Sequence, residues 1–106
     1  MKNKSKSKKI LDELRNKALQ HLRRLLWSIS PEKVDFEKDH IYIIHQVLSW
    51  GEPEDLKLLF KIYGFKKVKQ VFITYPKRVY TYPALCFVEN LLGVKVGKSK
   101  YVSNII

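Results

Sequence analysis

The sequence predicts an all-α protein, with about five short helices in a single domain that follows a flexible basic arm. Apolar residues recur at helical spacing in most segments from Ile10 onward, and proline, glycine and acidic residues stand where helices begin and end. With 106 residues, of which 45% are hydrophobic, the chain is long enough for one domain with its own core. We expect a disordered arm at residues 1–9, a helical domain at residues 10–95 and a C-terminal tail at residues 96–106.

The arm alternates lysine with serine or asparagine and has no apolar residue after Met1. Such a segment has nothing to bury, so we expect it to be disordered. It is either a solubilising tail or an arm that contacts nucleic acid. In the second case the phosphate-binding residues are Lys2, Lys4, Lys6, Lys8 and Lys9.

The first helix is expected to begin near Ile10 and to end at the segment SISPEK, residues 28–33. Its apolar face consists of Leu11, Leu14, Ala18, Leu22, Leu25 and Ile29. Trp27 lies off this face, so it either packs against another element or is an exposed contact residue.

Asp35 is predicted to cap a second helix, which runs from Phe36 to Trp50. One face of this helix carries most of its apolar residues and His40, whereas His45 lies on the opposite side. We therefore expect His40 at the edge of the core and His45 on or near the surface.

Residues 53–73 are predicted to form a helix-turn-helix-like pair, Pro53–Tyr63 and Phe65–Ile73, that meets at Gly64. The inward side chains of the second helix are expected to be Phe65, Val68, Val71 and Phe72. Its polar face consists of Lys66, Lys67, Lys69 and Gln70. Lysines bind phosphate as point charges, and only Gln70 offers an amide that can pair with adenine, so this helix permits nucleic-acid binding without specifying it.

The segment Thr74–Pro83 interrupts the helical pattern with two prolines and three tyrosines. Its aromatic and basic residues suit three roles: stacking on single-stranded nucleic acid, anchoring a protein interface, or covering the core. A final helix is expected to follow and to end at Gly93, and Val94–Val96 could form a short strand with Val79–Tyr82.

The sequence contains no pattern typical of an enzyme, a cofactor site or a metal site. His40 and His45 are five residues apart, so they do not share a helical face as two metal ligands four apart would. Cys86 lies in an apolar helix, and the four glycines are too scattered to form a phosphate-binding loop. We therefore expect no catalytic residue, no cofactor and no metal.

The sequence also predicts a cytoplasmic location. It contains no run of about 18 apolar residues that could span a membrane, and no signal peptide is recognised. The single cysteine cannot form an internal disulfide bond, which fits a reducing compartment.

The net charge of +11 is unevenly distributed along the chain. Residues 1–31 carry a net charge of +7, residues 32–50 carry −2 and residues 51–106 carry +6. Such a charge attracts nucleic acid or an acidic protein surface and influences association more than it determines the fold.

Several short motifs resemble those of a known family. They are Leu25–Ser28 around Trp27, the Pro-x-x-Val-Asp step at Pro31–Asp35, Gly51, the Leu-x-x-x-Tyr-Gly ending at Leu59–Gly64, and Leu85 with Phe87. Over roughly Leu25–Val94 the chain is similar to small bacterial and archaeal proteins of unknown function that are encoded beside AbiEii-type nucleotidyltransferase toxins. It departs from them at Ser28, where an acid is usual, and at Leu56 and Val88, where tryptophan is common. The resemblance implies an all-α, antitoxin-like partner protein without catalytic activity.

These observations lead to two functional hypotheses. The first is a non-catalytic binding protein, the antitoxin partner of a nucleotidyltransferase-type toxin. Its candidate partner-binding residues are Trp27, Trp50, Tyr63, Arg78 and Tyr80. The alternative is a nucleic-acid-binding protein, a helix-turn-helix-like transcriptional regulator that uses the lysines of the arm and the polar face of the helix after Gly64.

Overall fold

The computed structural model describes residues 13–103, and it confirms the all-α prediction. The chain is helical from residue 13 to residue 22 (α1), and the four later helices are α2 His40–Trp50, α3 Pro53–Tyr63, α4 Phe65–Thr74 and α5 Tyr82–Leu92. Short 3₁₀ turns lie at Arg23–Leu25, Pro31–Lys33 and Lys98–Lys100. None of the helices between residues 13 and 103 has both the length and the hydrophobicity that a membrane-spanning helix needs.

The first helix is shorter at its C-terminal end than the sequence predicted. The chain leaves the α-helical conformation at residue 22 and tightens into the 3₁₀ turn Arg23–Leu25. The guanidinium group of Arg24 donates a hydrogen bond to the carbonyl of His21 at 2.6 Å, which satisfies one of the oxygens left without a helical partner. The change in direction places Trp27 in a turn rather than on a helix.

The second helix begins at His40 rather than at the predicted Phe36. Asp35 caps a separate turn instead, because its Oδ1 accepts hydrogen bonds from the backbone N–H groups of Glu37 and Lys38 at 2.8 and 3.0 Å. The helix starts only after this turn is complete.

The helix pair at residues 53–73 is confirmed, with α4 extended by one residue to Thr74. Glu52 and Asp55 form a capping box at the start of α3, in which the Glu52 N–H donates to Asp55 Oδ2 at 2.7 Å. Gly64 separates the two helices with φ +85° and ψ 152°, a conformation that is open almost only to glycine.

Replacing Gly64 with valine is expected to destabilise the protein by roughly 1–3 kcal/mol, because a side chain strains the backbone at this φ. Gly97→Val is the matched control: φ is −74° there, and at both positions an added Cβ meets no atom within 4 Å. Urea denaturation of the two variants separates backbone strain from steric clash. Equal stability of the two variants would contradict this explanation.

Helix α2 is the central element of the core. It packs against α3, α4 and α5 and against the turn Arg23–Leu25. Ile43, Ile44 and Val47 are fully buried on it, and every other helix contributes side chains to the same cluster.

The central position of α2 also explains why the predicted surface location of His45 is wrong. Its side chain is buried, since α2 is covered on the face opposite its apolar stripe as well. His45 Nδ1 lies 2.7 Å from the hydroxyl of Tyr80, and Nε2 lies 2.6 Å from the carbonyl of Tyr75. A carbonyl can only accept, so Nε2 carries the proton and Nδ1 accepts from the tyrosine. His40 is half-buried, at the edge of the core as predicted.

The segment after α5 packs onto the core without forming the predicted strand. Val94–Val96 has no strand conformation, and Tyr80 instead makes an isolated parallel bridge with Val102. Tyr101 is buried, and its hydroxyl donates to the carbonyl of Phe72 at 2.7 Å. Part of the stretch assigned to the C-terminal tail therefore belongs to the core.

Candidate partner-binding surface

The two tryptophans of the chain lie side by side on the surface. Trp27 is 63% exposed and Trp50 51% exposed, and their ring centroids are 6.1 Å apart in an edge-to-face arrangement. Tryptophan is highly buried on average, so two adjacent exposed rings are unusual. Of the two roles predicted for Trp27, packing and exposure, the structure shows both: its ring packs against that of Trp50, and both rings are exposed.

The tryptophan pair borders a groove of about 430 Å³, which we call the Trp groove. Its other lining residues are Gln46, Arg78, Val79, Tyr80, Thr81 and Ser103. The fold therefore brings together four of the five predicted partner-binding residues, which come from the turn after α1, the end of α2 and the segment before α5.

Three hydrogen bonds hold the walls of the Trp groove in place. The amide of Gln46 donates to the carbonyl of Leu25 at 2.8 Å, and the hydroxyl of Ser49 donates to the carbonyl of Val79 at 2.6 Å. In addition, the N–H of Ser28 donates to the hydroxyl of Tyr42 at 3.1 Å. These three bonds connect α2 to both flanking segments, so the site is preorganised in the free protein.

Sequence reasoning missed the supporting role of the polar side of α2. His45, Gln46 and Ser49 follow one another there at helical spacing, and all three bond to backbone or side chains outside the helix. The polar residues His45 and Gln46, which stand next to each other in an otherwise apolar stretch, could have been read as a sign of these contacts.

Tyr80 has to be removed from the candidate anchors. Its side chain is fully buried, with its ring against Phe72, Tyr101 and His45. Desolvation raises the pKa of its hydroxyl well above the usual value, and the close Tyr101 adds to this effect. It forms the support beneath the groove instead of a contact surface.

Tyr63 lies outside the Trp groove. It is half-buried against the ring of Phe36, and its hydroxyl donates to the Phe36 carbonyl at 2.7 Å. These contacts favour a packing role, whereas Arg78 is exposed at the groove and can reach a partner.

The helix α4 presents its predicted polar residues to solvent, but its setting differs from that of a DNA-reading helix. Lys66, Lys67 and Gln70 are exposed and Lys69 is half-buried. Phe65 is exposed as well, against the prediction, because it stacks on Phe60 across the junction instead of entering the core.

The junction also differs in length from that of a DNA-binding helix-turn-helix. A single residue joins α3 to α4, where such a motif has a turn of three to four residues. The other predicted nucleic-acid-binding residues, Lys2, Lys4, Lys6, Lys8 and Lys9, lie outside the described residues.

A buried carboxylate in the first turn of α3 connects this helix to the end of α1. Asp55 accepts two hydrogen bonds from the guanidinium group of Arg24, at 2.6 and 3.3 Å, and lies 3.0 Å from Nε2 of His21. This cluster fixes the end of α1 and, three residues after Arg24, the position of Trp27. Because the two helices are far apart in sequence, the sequence offered no signal of the contact.

The histidine side chains serve structural contacts. Each of the three histidines is engaged, His21 with Asp55, His40 with the carbonyl of Glu37, and His45 in the core. Within residues 13–103, no group of three or more His, Cys, Asp or Glu side chains could hold a metal ion. Cys86 is a half-buried free thiol.

Residues 22–72 match a family described as a family of unknown function (DUF6922). The match covers just under half of the chain, from the end of α1 into α4, and includes both tryptophans and Asp55. No curated protein and no solved structure matches the chain.

Proposed function

We propose that this protein is a non-catalytic, cytoplasmic binding protein that acts as the antitoxin partner of a nucleotidyltransferase-type toxin. The observation that carries the proposal is the exposed Trp27–Trp50 pair at the rim of a preorganised groove beside Arg78. Tryptophan and arginine are enriched among the residues that dominate binding energy at protein interfaces. The motifs that resemble proteins encoded beside such toxins give the class of partner.

The chemistry of the Trp groove indicates what the partner presents. The two rings offer apolar surface, so an apolar side chain of the partner would fill the groove between them and Val79. Arg78 is exposed at the groove and suits a partner carboxylate, with which it can form paired hydrogen bonds. The net charge of +11 would also accelerate association with an acidic surface.

Trp27→Ala and Trp50→Ala are each expected to weaken partner binding by about 2 kcal/mol or more, roughly thirtyfold in affinity. Because both side chains are more than half exposed, the melting temperature should fall by only a few degrees. The matched control is Phe87→Ala, which removes a 52% exposed ring from α5, outside the Trp groove. Calorimetry with the separately purified product of the neighbouring gene measures the affinities, and a growth assay in cells that express both proteins measures rescue.

The two tryptophans also provide a direct probe, because the chain contains no others. Labelling with 5-fluorotryptophan gives two fluorine resonances, and both should shift when unlabelled partner is added. The antitoxin proposal is wrong if the neighbouring protein is not toxic, or if it is toxic and this protein neither binds nor rescues. If the partner binds and neither resonance shifts, the interface lies outside the Trp groove.

A further inference from the structure

A second groove lies between α1 and α3 and contains residues that the sequence analysis did not assign to binding. Its volume is about 390 Å³. Lys17 and His21 line it from α1, and Lys57 and Lys61 line it from α3. The members of each pair are four residues apart, so they lie one turn above each other on the same helical face. We call this the α1–α3 groove.

The lysines of the α1–α3 groove have no carboxylate partner among the described residues. The ion pairs of residues 13–103 are made by Arg15, Arg24 and His21, and none of them involves a lysine. Lys17, Lys57 and Lys61 are exposed, and the only acid in the lining is Glu54. The groove therefore carries positive charge that the fold does not use.

The residue types that line the α1–α3 groove favour a phosphate ligand over a protein ligand. Lysine is depleted at protein interfaces, where tryptophan, tyrosine and arginine dominate the binding energy, and the Trp groove already offers tryptophan and arginine. Nucleic-acid phosphates, in contrast, are commonly contacted by lysine. The lining contains no phenylalanine, tyrosine or tryptophan on which an unpaired base could stack, and its one imidazole, that of His21, is engaged by Asp55, which favours a duplex over a single strand.

We propose that the α1–α3 groove binds the phosphate backbone of duplex nucleic acid, without reading its sequence. Lys17, Lys57 and Lys61 contact phosphates as point charges, and the groove offers no arginine, asparagine or glutamine that could pair with a base edge. His21 is already engaged by Asp55 and stays with it. This site is separate from the polar face of α4 and does not depend on the protein-binding proposal.

The test compares two paired lysine variants by fluorescence anisotropy with a labelled DNA duplex at several salt concentrations. Lys57→Ala with Lys61→Ala is expected to weaken binding about tenfold or more at low salt, and to reduce the log–log salt slope by up to ~0.9 per lost contact. The competing surface is tested by Lys66→Ala with Lys67→Ala on α4, which removes the same charge from the polar face of that helix and should lower the affinity less than the groove pair does.

A third variant acts in the opposite direction. Glu54→Gln removes the acid from the groove and should tighten binding, with a steeper salt slope. Circular dichroism of each variant verifies the fold, which exposed lysine-to-alanine changes on helices should leave intact.

The remaining outcomes would overturn the proposal. Equal losses of affinity in the two double-lysine variants would show that the duplex is attracted by net charge alone. A larger loss of affinity in the α4 variant would show that the binding site is on α4. Tighter binding of a single strand of the same length, or dependence on the duplex sequence, would contradict the assignment to a duplex backbone.

Discussion

Asp55→Ala is expected to destabilise the protein by about 3 kcal/mol, which corresponds to a decrease in melting temperature of roughly 10–20 °C. The carboxylate is fully buried and serves several partners at once: Arg24 and His21 from the end of α1, and the N–H of Glu52 at the start of α3. Its removal leaves that N–H without its cap and Arg24 without its two hydrogen bonds to a carboxylate. We take the lower end of the range for broken buried pairs because the Arg24 side chain is 47% exposed and can be hydrated.

Two further experiments test whether the stability lost in Asp55→Ala comes from the contacts of Asp55 with Arg24 and His21. Glu54→Gln, at an exposed position next to Asp55 in the same turn, should cost less than about 1 kcal/mol, since only its interaction with the helix dipole is lost. A double-mutant cycle of Arg24→Ala with Asp55→Ala should give a coupling energy of about 1 kcal/mol or more. If Asp55→Ala and Glu54→Gln were equally stable, the cluster would not be a connection between α1 and α3.

The same cluster links stability to binding. Arg24 lies three residues before Trp27, so loss of the Asp55 contact frees the turn that carries one rim of the Trp groove. We expect Asp55→Ala to weaken partner binding as well, although Asp55 is buried and cannot touch the partner.

Acidification is expected to destabilise the protein through His45, by roughly 2 kcal/mol between about pH 7 and pH 5 and by about 3 kcal/mol near pH 4. Burial lowers the pKa of this histidine from 6.5 to about 4; the hydrogen bond to the Tyr75 carbonyl opposes the shift, and the charge of Lys77 adds to it. A group with a lowered pKa in the folded state binds protons preferentially in the unfolded chain. Its contribution to stability is therefore complete above about pH 6.5 and is lost as the pH falls through 4.

The variant His45→Gln isolates this contribution from those of the carboxylates and the other histidines. Glutamine can still donate to the Tyr75 carbonyl and accept from Tyr80, but it does not titrate. The variant should lose roughly 2 kcal/mol less than the natural protein between about pH 7 and pH 5 in urea denaturation. An NMR resonance of His45 that titrates near pH 6.5 in the folded protein would contradict the prediction.

Local signals in the sequence located the later helices well. Helix α3 begins at Pro53 and ends just before Gly64, as predicted. Helix α5 ends just before Gly93, whose φ is +68°, also as predicted. These boundaries depend on backbone conformations that only certain residues adopt, so they can be recognised from the residues alone. The boundaries of α1 and α2 were wrong because they depend on side-chain contacts: the Arg24 bond to His21 and the Asp35 turn.

Part of the candidate site could also be predicted. Aromatic and basic residue types, together with the family resemblance, identified Trp27, Trp50 and Arg78, which the fold places around one groove. The same criteria wrongly included Tyr80, since an aromatic residue in a loop is as suitable for burial as for contact.

The all-α class, the helix pair around Gly64 and the excess of positive charge can all be derived from the sequence. They depend on residue spacing, on glycine and proline positions and on composition, which are local or summed properties of the chain. Three other features became visible only in the folded chain: His45, Tyr80 and Tyr101 belong to the core, Asp55 connects α1 to α3, and two tryptophans 23 positions apart meet on the surface. Burial and pairing depend on which distant segments cover a residue. Helix α2 is covered on several sides by other elements. The apolar stripe of α2 predicts burial of one face only, so it gave no sign that His45, on the opposite face, is buried as well.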